Sequence, residues 1–247
     1  MTRHPLPPTE TTGLSASSLL APEVARTLDR LHRRARTDLL RIALVAPLVV
    51  PDFFGFRRTD DDRLSRRMRS TYLPVSRGQG QMLYLVARSI DARRIVEFGT
   101  SFGISTLYLA AAVKDNGGGV VIGSELELSK HAKAREHLHE AGLLGFTDVR
   151  LGDAVKTLAD VEAPVDMVLL DGWKDSYLPV LKLLQPKLRP RAVVLADNIF
   201  TFKKALRPYV EYVQSGTNGF VSSTLDISDG FELSVFTGSP EIGRAHV

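Results

Sequence analysis

From Gly80 to Ala196 the chain alternates helix-patterned stretches with short β-branched runs, and this alternation restricts it to an α/β fold built on a mostly parallel sheet. The periodicity predicts helices over Gln81–Ile90, Ile104–Lys114, Lys130–Ala141, Ala154–Leu158 and Tyr177–Leu188. Strands are expected over Arg94–Phe98, Gly119–Ser124, Asp148–Leu151, Val165–Leu170 and Ala192–Ala196. The first, fourth and fifth of these are nearly continuous apolar runs, as parallel strands covered on both faces must be. Beyond them, Phe220–Leu225 and Phe231–Thr237 flank Ser228-Asp229-Gly230, a turn signal for an antiparallel hairpin at the sheet edge. The fold class is therefore a doubly wound, seven-stranded sheet, mostly parallel with an antiparallel edge hairpin. Its chemistry is expected at the carboxyl ends of the parallel strands.

The stretch ahead of the sheet reads differently. The first 21 residues are rich in Pro, Thr and Ser and are expected to be poorly ordered. From Pro22, apolar Val24, Leu28, Leu31, Ala35 and Leu39 recur at spacings of three and four with arginines between them, the pattern of an amphipathic helix that packs on the core, covers a ligand or dimerises. Residues 47–62 read as a loop and Asp62–Thr71 as a further helix. The expected division is a helical N-terminal extension (1–72) serving as lid or dimerisation element, a core (73–240) and a tail (241–247). The tail, EIGRAHV, looks like a translated sequencing adapter and is expected to be an artificial end, so His246 receives no role.

Composition excludes several chemistries. The absence of cysteine removes disulfides, thiolate-bound zinc, iron–sulfur clusters and a thiol nucleophile together. The longest apolar stretch, Ile42–Val50, is nine residues interrupted by Pro47, whereas a spanning helix needs roughly 20. No membrane association is expected, and without an apolar signal core the expected location is cytoplasmic. The net charge is +4, and the basic excess lies in residues 1–70, which hold 13 Lys/Arg against 8 Asp/Glu, while the remainder holds 19 against 20. A nucleic-acid footprint shows clustered cations with aromatics or a recognisable module, whereas here Arg57 and Arg58 are followed at once by Asp60, Asp61 and Asp62, so nucleic-acid binding is not expected.

Five strand ends bear candidate functional groups. Glu97-Phe98-Gly99-Thr100-Ser101-Phe102-Gly103 follows the first strand; its Gly-x3-Gly spacing is neither the dinucleotide fingerprint nor a phosphate-binding P-loop. It reads either as a close-approach loop at a helix N-terminus or as a plain tight turn. Glu125 ends the second strand, where an acid can accept from a ribose diol or cap a helix. Asp153, after the third strand, can reach an adenine edge or equally cap a helix. The fourth and fifth strands deliver Asp171-Gly172-Trp173-Lys174-Asp175 and Asp197-Asn198. If neighbours, these strand ends lie roughly 4.8 Å apart, which gathers three hard oxygen donors suited to Mg²⁺ rather than zinc. Lys174, three residues from Asp171, is a candidate base if burial lowers its pKa.

The segments Val96-Glu97-Phe98-Gly99, Gly123-Ser124-Glu125, Asp166 through Tyr177 and Leu195-Ala196-Asp197-Asn198 resemble class I S-adenosylmethionine-dependent O-methyltransferases of the catechol O-methyltransferase type, over residues 73–237. The resemblance implies a Rossmann-like core, with S-adenosylmethionine and Mg²⁺ as cofactors and a small catechol-like acceptor. It also implies Asp171, Asp197 and Asn198 as metal ligands and Lys174 as the catalytic base. Val75, Glu97, Gly99, Ser105, Glu125, Asp153 and Trp173 fall among the cofactor-binding positions, and Trp173, Lys174, Asn198 and Asp226 among the substrate contacts. Gly172 departs from the mammalian pattern, which has histidine there. A larger natural-product or phenylpropanoid diol is the second acceptor reading; a non-catalytic adenosyl- or nucleic-acid-binding protein is the reading from a different class. A homodimer is also compatible with the N-terminal helix.

Overall fold

Alternate residues on each buried strand point to opposite faces of a sheet, so every central strand here feeds two separate cores. In the computed structural model, which describes residues 17–37 and 75–238, Ile95 of β1 (Arg94–Phe98) and Met167 and Leu169 of β4 (Val165–Leu170) face one core. Val96, Phe98, Val168 and Leu170 of the same strands face the other. With β2 (Val120–Glu125), β3 (Thr147–Leu151), β5 (Leu188–Ala196), β6 (Phe220–Leu225) and β7 (Phe231–Phe236), they form one sheet in the order β3-β2-β1-β4-β5-β7-β6. The first five strands pair in parallel, while β7 inserts antiparallel between β5 and the edge strand β6. This is the Rossmann-like doubly wound sheet with an antiparallel edge hairpin.

The first core lies beneath α1 (22–37), α2 (Arg77–Ser89), α3 (Ile104–Asp115) and α4 (Leu128–Glu140). The second lies beneath α5 (Ala154–Thr157), α6 (Tyr177–Leu184) and α7 (Lys203–Gln214). Helix α3 is apolar nearly all round, with every residue from Ile104 to Val113 buried, so it is the central helix of its layer. Among the described residues no helix is long and apolar enough to cross a membrane.

Several boundaries differ from the sequence expectation for identifiable reasons. Helix α2 begins at Arg77, four residues early, because Ser76 and Gln79 form a reciprocal capping box. Helix α6 ends at Leu184 rather than Leu188: Pro186 cannot donate a helical hydrogen bond, and Gln185–Lys187 tightens into a 3-10 turn. Strand β5 starts at Leu188, not Ala192, with Pro190 accommodated where the β4–β5 register shifts. Helix α7 was not expected from the sequence; Pro208 masks a pattern in which Leu206, Tyr209 and Val213 are buried. Within the first 21 residues, expected to be poorly ordered, Ser18–Leu20 form a 3-10 turn docked by the Ser18 N–H on Asp115, while residues 1–16 lie outside the described residues. The expected loop at 47–62, helix at Asp62–Thr71 and tail at 241–247 lie outside the described residues.

Of the three roles open to the first helix, its described part packs on the core. Val24, Leu28, Leu31 and Ala35 are buried, and Asp29 and Arg30 pair with Arg77 and Glu140. His32, 6% exposed, meets the Tyr108 hydroxyl at 3.1 Å through Nε2. Burial first, then Arg77 and Arg36, push the His32 pKa down to about 4, with Asp29 opposing. The neutral ring is the native form, so protons bind the unfolded chain more readily than the folded one below about pH 6.5. Stability from this group should thus be full above pH 6.5 and decline as pH falls toward 4, by on the order of 3 kcal/mol in total. The urea midpoint should drop between pH 7 and 5, and His32→Gln should flatten that slope; an unchanged slope would remove His32 as its source.

Candidate active site

The loop after β1 is fixed from inside. Glu97, completely buried, accepts from the hydroxyls of Thr100 at 3.0 Å, Ser105 at 2.6 Å and Thr106 at 2.6 Å. Burial raises its pKa and the three hydroxyls oppose the rise. Glu97 and Ser105 therefore engage each other beneath the loop and hold its turn. Gly99 has φ +98°, and a Cβ there would stand 2.4 Å from the Asp171 carbonyl oxygen. The bare backbone is what lets the β1 and β4 loops touch, and the Asp171 N–H donates to the Phe98 carbonyl at 2.8 Å.

At the end of β2, Glu125 accepts the Ser101 N–H at 2.7 Å on Oε2 and the Glu127 N–H at 2.8 Å on Oε1. Each carboxylate oxygen has a second lone pair, so the group can still accept from a diol. Lys130 lies 5.5 Å from the Phe102 ring centroid, and burial lowers its pKa against the pull of Glu125 and Glu127. Asp153 caps α5, accepting the Val155 N–H at 2.9 Å. Val75 is buried in the core just ahead of the α2 cap. The loop, Glu125 and Asp153 occupy the ends of three successive parallel strands, the place where doubly wound sheets bind nucleotide-like groups.

The ends of β4 and β5 are adjacent, with Leu170 paired to Ala196 and the Asp197 N–H donating to the Leu170 carbonyl at 3.0 Å. Lys174 reaches across this seam. Its Nζ donates to Asn198 Oδ1 at 2.6 Å and to the Tyr177 hydroxyl at 2.8 Å, and lies 3.6 Å from Asp171 Oδ1. Tyr177 in turn donates to the Asp197 carbonyl at 3.2 Å. Burial lowers the Lys174 pKa, opposed chiefly by Asp171 and Asp197. Burial likewise raises the pKa of Asp171 and of Asp197, and the Asp171 carboxylate raises Asp197 further. Two carboxylates that repel one another, Asp197 buried and Asp171 largely so, are stabilised by a cation beyond Lys174 or by a shared proton. Among the described residues no group of three His, Cys, Asp or Glu side chains gathers as a metal site, so the third donor to such an ion would be the Asn198 amide oxygen. Two carboxylates and one amide oxygen fit a hard divalent ion such as Mg²⁺.

Trp173 is half-buried against the second core. The glycine before it has a local cause: a Cβ on Gly172 would lie 2.4 Å from the Phe98 ring. From the edge hairpin, the carboxylate that meets Asn198 is that of Asp229, at 3.3 Å from Nδ2, whereas Asp226 is exposed three residues earlier. Sequence reasoning missed three participants: Gln79, whose Nε2 donates to Asp197 Oδ1 at 2.9 Å, Tyr177 and Asp229. Gln79 was legible only as the last residue of a Ser-x-x-Gln capping box, and Asp229 only as a turn residue.

A family model described as a methyltransferase domain matches residues 96–199, which span the strand ends just described. The chain is 34% identical to a catechol O-methyltransferase of Mycobacterium tuberculosis over 51% of this chain and 57% of that one. It is 31% identical to the catechol O-methyltransferase of Sus scrofa over 66% of this chain and 93% of that one. Over the bacterial relatives at the head of the comparison the match spans 57% and 62% of their length. Among solved structures, the O-methyltransferase TomG of Streptomyces achromogenes, in complex with SAM, superposes with a TM-score of 0.64 at 29% identity, covering 75% of this chain and 94% of that one. By sequence and by fold together, this chain belongs to the class I O-methyltransferases of the catechol O-methyltransferase type.

Proposed function

We propose that this protein transfers a methyl group from S-adenosylmethionine to one hydroxyl of a catechol-like vicinal diol with the help of Mg²⁺ or a similar divalent ion. The observation that supports this best is the setting of Lys174: a buried amine with lowered pKa, 2.6 Å from Asn198 Oδ1 and 3.6 Å from Asp171 Oδ1. Asp171, Asp197 and Asn198 would hold the ion, and Glu125, Asp153 and the Glu97–Gly103 loop the adenosyl donor, with Val75, Gly99, Ser105 and Trp173 around it. When bound, the donor supplies an electrophilic sulfonium methyl and the ion supplies positive charge that acidifies a hydroxyl beside it.

The chain's own residues then have separable tasks. Lys174 Nζ takes the hydroxyl proton: burial keeps the amine neutral and able to accept, and the neighbouring Asp171 and Asp197 carboxylates stabilise the ammonium that forms. Tyr177 directs its own proton to the Asp197 carbonyl, so its oxygen lone pair faces Nζ and aims the amine into the seam. Trp173 walls the acceptor ring, with Asn198 beside it and Asp226 as the remaining candidate from the hairpin. Holding two reactants in attack geometry in a partly dry site is worth up to about 7–11 kcal/mol in model reactions, and this rigid seam suits that task. Within the N-terminal extension (residues 1–72), α1 packs on the core (residues 73–240), and the lid or dimer role falls to the rest of the extension. Names among the relatives, caffeoyl-CoA O-methyltransferase of Zea mays and the tomaymycin-synthesis enzyme TomG, support a larger phenolic acceptor as the second reading.

The test is methyl transfer to a panel of catechols and caffeoyl esters, with Mg²⁺ and with EDTA, resolving regioisomers. EDTA-sensitive product from a catechol is the expected result; product from the larger esters alone would favour the second reading, and no cofactor binding by calorimetry would overturn both. Lys174→Ala should lower kcat by about 10²–10⁴-fold, the usual weight of a general base, while calorimetric affinity for S-adenosylmethionine stays unchanged. Asp171→Ala should abolish activity and its response to Mg²⁺ together, as read from initial rates across a metal titration.

A further inference from the structure

A carboxamide accepts at one end and donates at the other, and flipping it exchanges the two. Both amides around Asp197 and Asn198 are clamped against that flip. Asn198 accepts from Lys174 Nζ on Oδ1 at 2.6 Å and donates from Nδ2 to Asp229 Oδ2 at 3.3 Å. A carboxylate can only accept, so even with a neutral Lys174, which can accept as well as donate, Asp229 still dictates which end of the amide turns inward. Gln79 accepts the Ser76 N–H on Oε1 at 2.7 Å and donates from Nε2 to Asp197 Oδ1 at 2.9 Å. The Asn198 N–H donates to that same Oδ1 at 2.7 Å, leaving Oδ2 as the oxygen that can serve an ion.

Both clamps are themselves anchored. Asp229 Oδ1 accepts the Thr201 N–H at 3.1 Å and the Thr201 hydroxyl at 2.7 Å. Gln79 is 3% exposed and locked in the capping box of α2. Asn198 itself sits at φ +65°, a left-handed conformation that asparagine tolerates better than most residues, so its side chain leaves the strand at a fixed angle.

We propose that Gln79 and Asp229 are positioning residues for the ion-binding pair: Asp229 turns the Asn198 carbonyl oxygen inward, and Gln79 holds Asp197 so that Oδ2 faces the site. The proposal rests on the reading that Asp171, Asp197 and Asn198 hold a divalent ion. Outer hydrogen-bond partners of metal ligands commonly contribute about 10–100-fold in affinity, which sets the size of the effect to look for.

The experiment is titration of the full chain with Mn²⁺, following the free ion by electron paramagnetic resonance, on wild type, Asp229→Ala, Gln79→Leu and two controls. The controls are Thr201→Val and Ser76→Ala, which loosen the same turn and the same helix start without removing a bond to Asp197 or Asn198. Asp229→Ala and Gln79→Leu should each weaken Mn²⁺ binding about 10–100-fold, while calorimetric affinity for S-adenosylmethionine stays at the wild-type value and both controls, which loosen only an anchor, weaken Mn²⁺ binding clearly less than the variant they match. Wild-type affinity in both Asp229→Ala and Gln79→Leu would overturn the proposal, as would equal weakening in the controls, which would reduce the two residues to braces of the backbone. Should a thermal melt find Asp229→Ala unfolded, Gln79→Leu, on the opposite side of the pair, decides. If wild type itself binds no Mn²⁺, the ion-binding reading fails first and this proposal with it.

Discussion

The site depends on one buried carboxyl group. Glu97 lies at the centre of the sheet with no exposed surface, a position where a polar group without partners would cost several kcal/mol. Three hydroxyls, from Thr100, Ser105 and Thr106, satisfy it, and all three belong to the turn between β1 and α3 or to the helix's first residues. Satisfying the carboxyl therefore dictates the shape of the turn. The turn presents Gly99 to the Asp171 backbone, and that approach determines where the β4 loop, and Lys174 with it, can lie. A chain of backbone contacts thus runs from the β1 loop to the β4 loop that carries Lys174.

Charge is arranged along the same chain. Glu97 raises the pKa of Asp171, Asp171 raises that of Asp197, and Lys174 lowers both. One amine faces two repelling carboxylates at the mouth of two buried strands, with Asp229 adding to the negative field from the hairpin. Such a cluster is stable only with further positive charge or with a shared proton. Lys174 is accordingly held by geometry as much as by charge: its neighbours include the Tyr177 ring at 4.9 Å and the Phe202 ring at 5.4 Å, which shield it from solvent.

What the sequence disclosed follows what local pattern can encode. Strands β1 and β4 were legible to the residue because apolar runs covered on both faces admit no other reading. Asp171, Lys174, Asp197 and Asn198 could be grouped from the sequence on the condition that β4 and β5 are neighbours, and the sheet meets that condition. Helix α7 was not, since Pro208 breaks the propensity signal while three buried residues sustain the helix through tertiary contact. Gln79 and Asp229 were invisible as site residues for a related reason. Each has a sufficient local role, in a capping box and in a turn, and only the folded chain brings them to Asp197 and Asn198.

Gly172 illustrates how a departure from a family pattern can be absorbed. A side chain at that position would have to displace the Phe98 ring, which fills the space above it. Phe98 meets the Tyr177 ring edge-on at 6.1 Å, and Tyr177 meets Tyr209 of α7 edge-on at 5.8 Å. Edge-to-face pairs of this kind each contribute about 0.5–1.5 kcal/mol beyond simple burial and fix ring planes as well as positions. The ladder runs from β1 to α7 beneath the seam and props up the phenol whose hydroxyl aims Lys174. Glycine at 172 and phenylalanine at 98 are then two halves of one packing solution. The side chain given up above the loop is balanced by a ring that steadies Tyr177, and through its hydroxyl Lys174, from below.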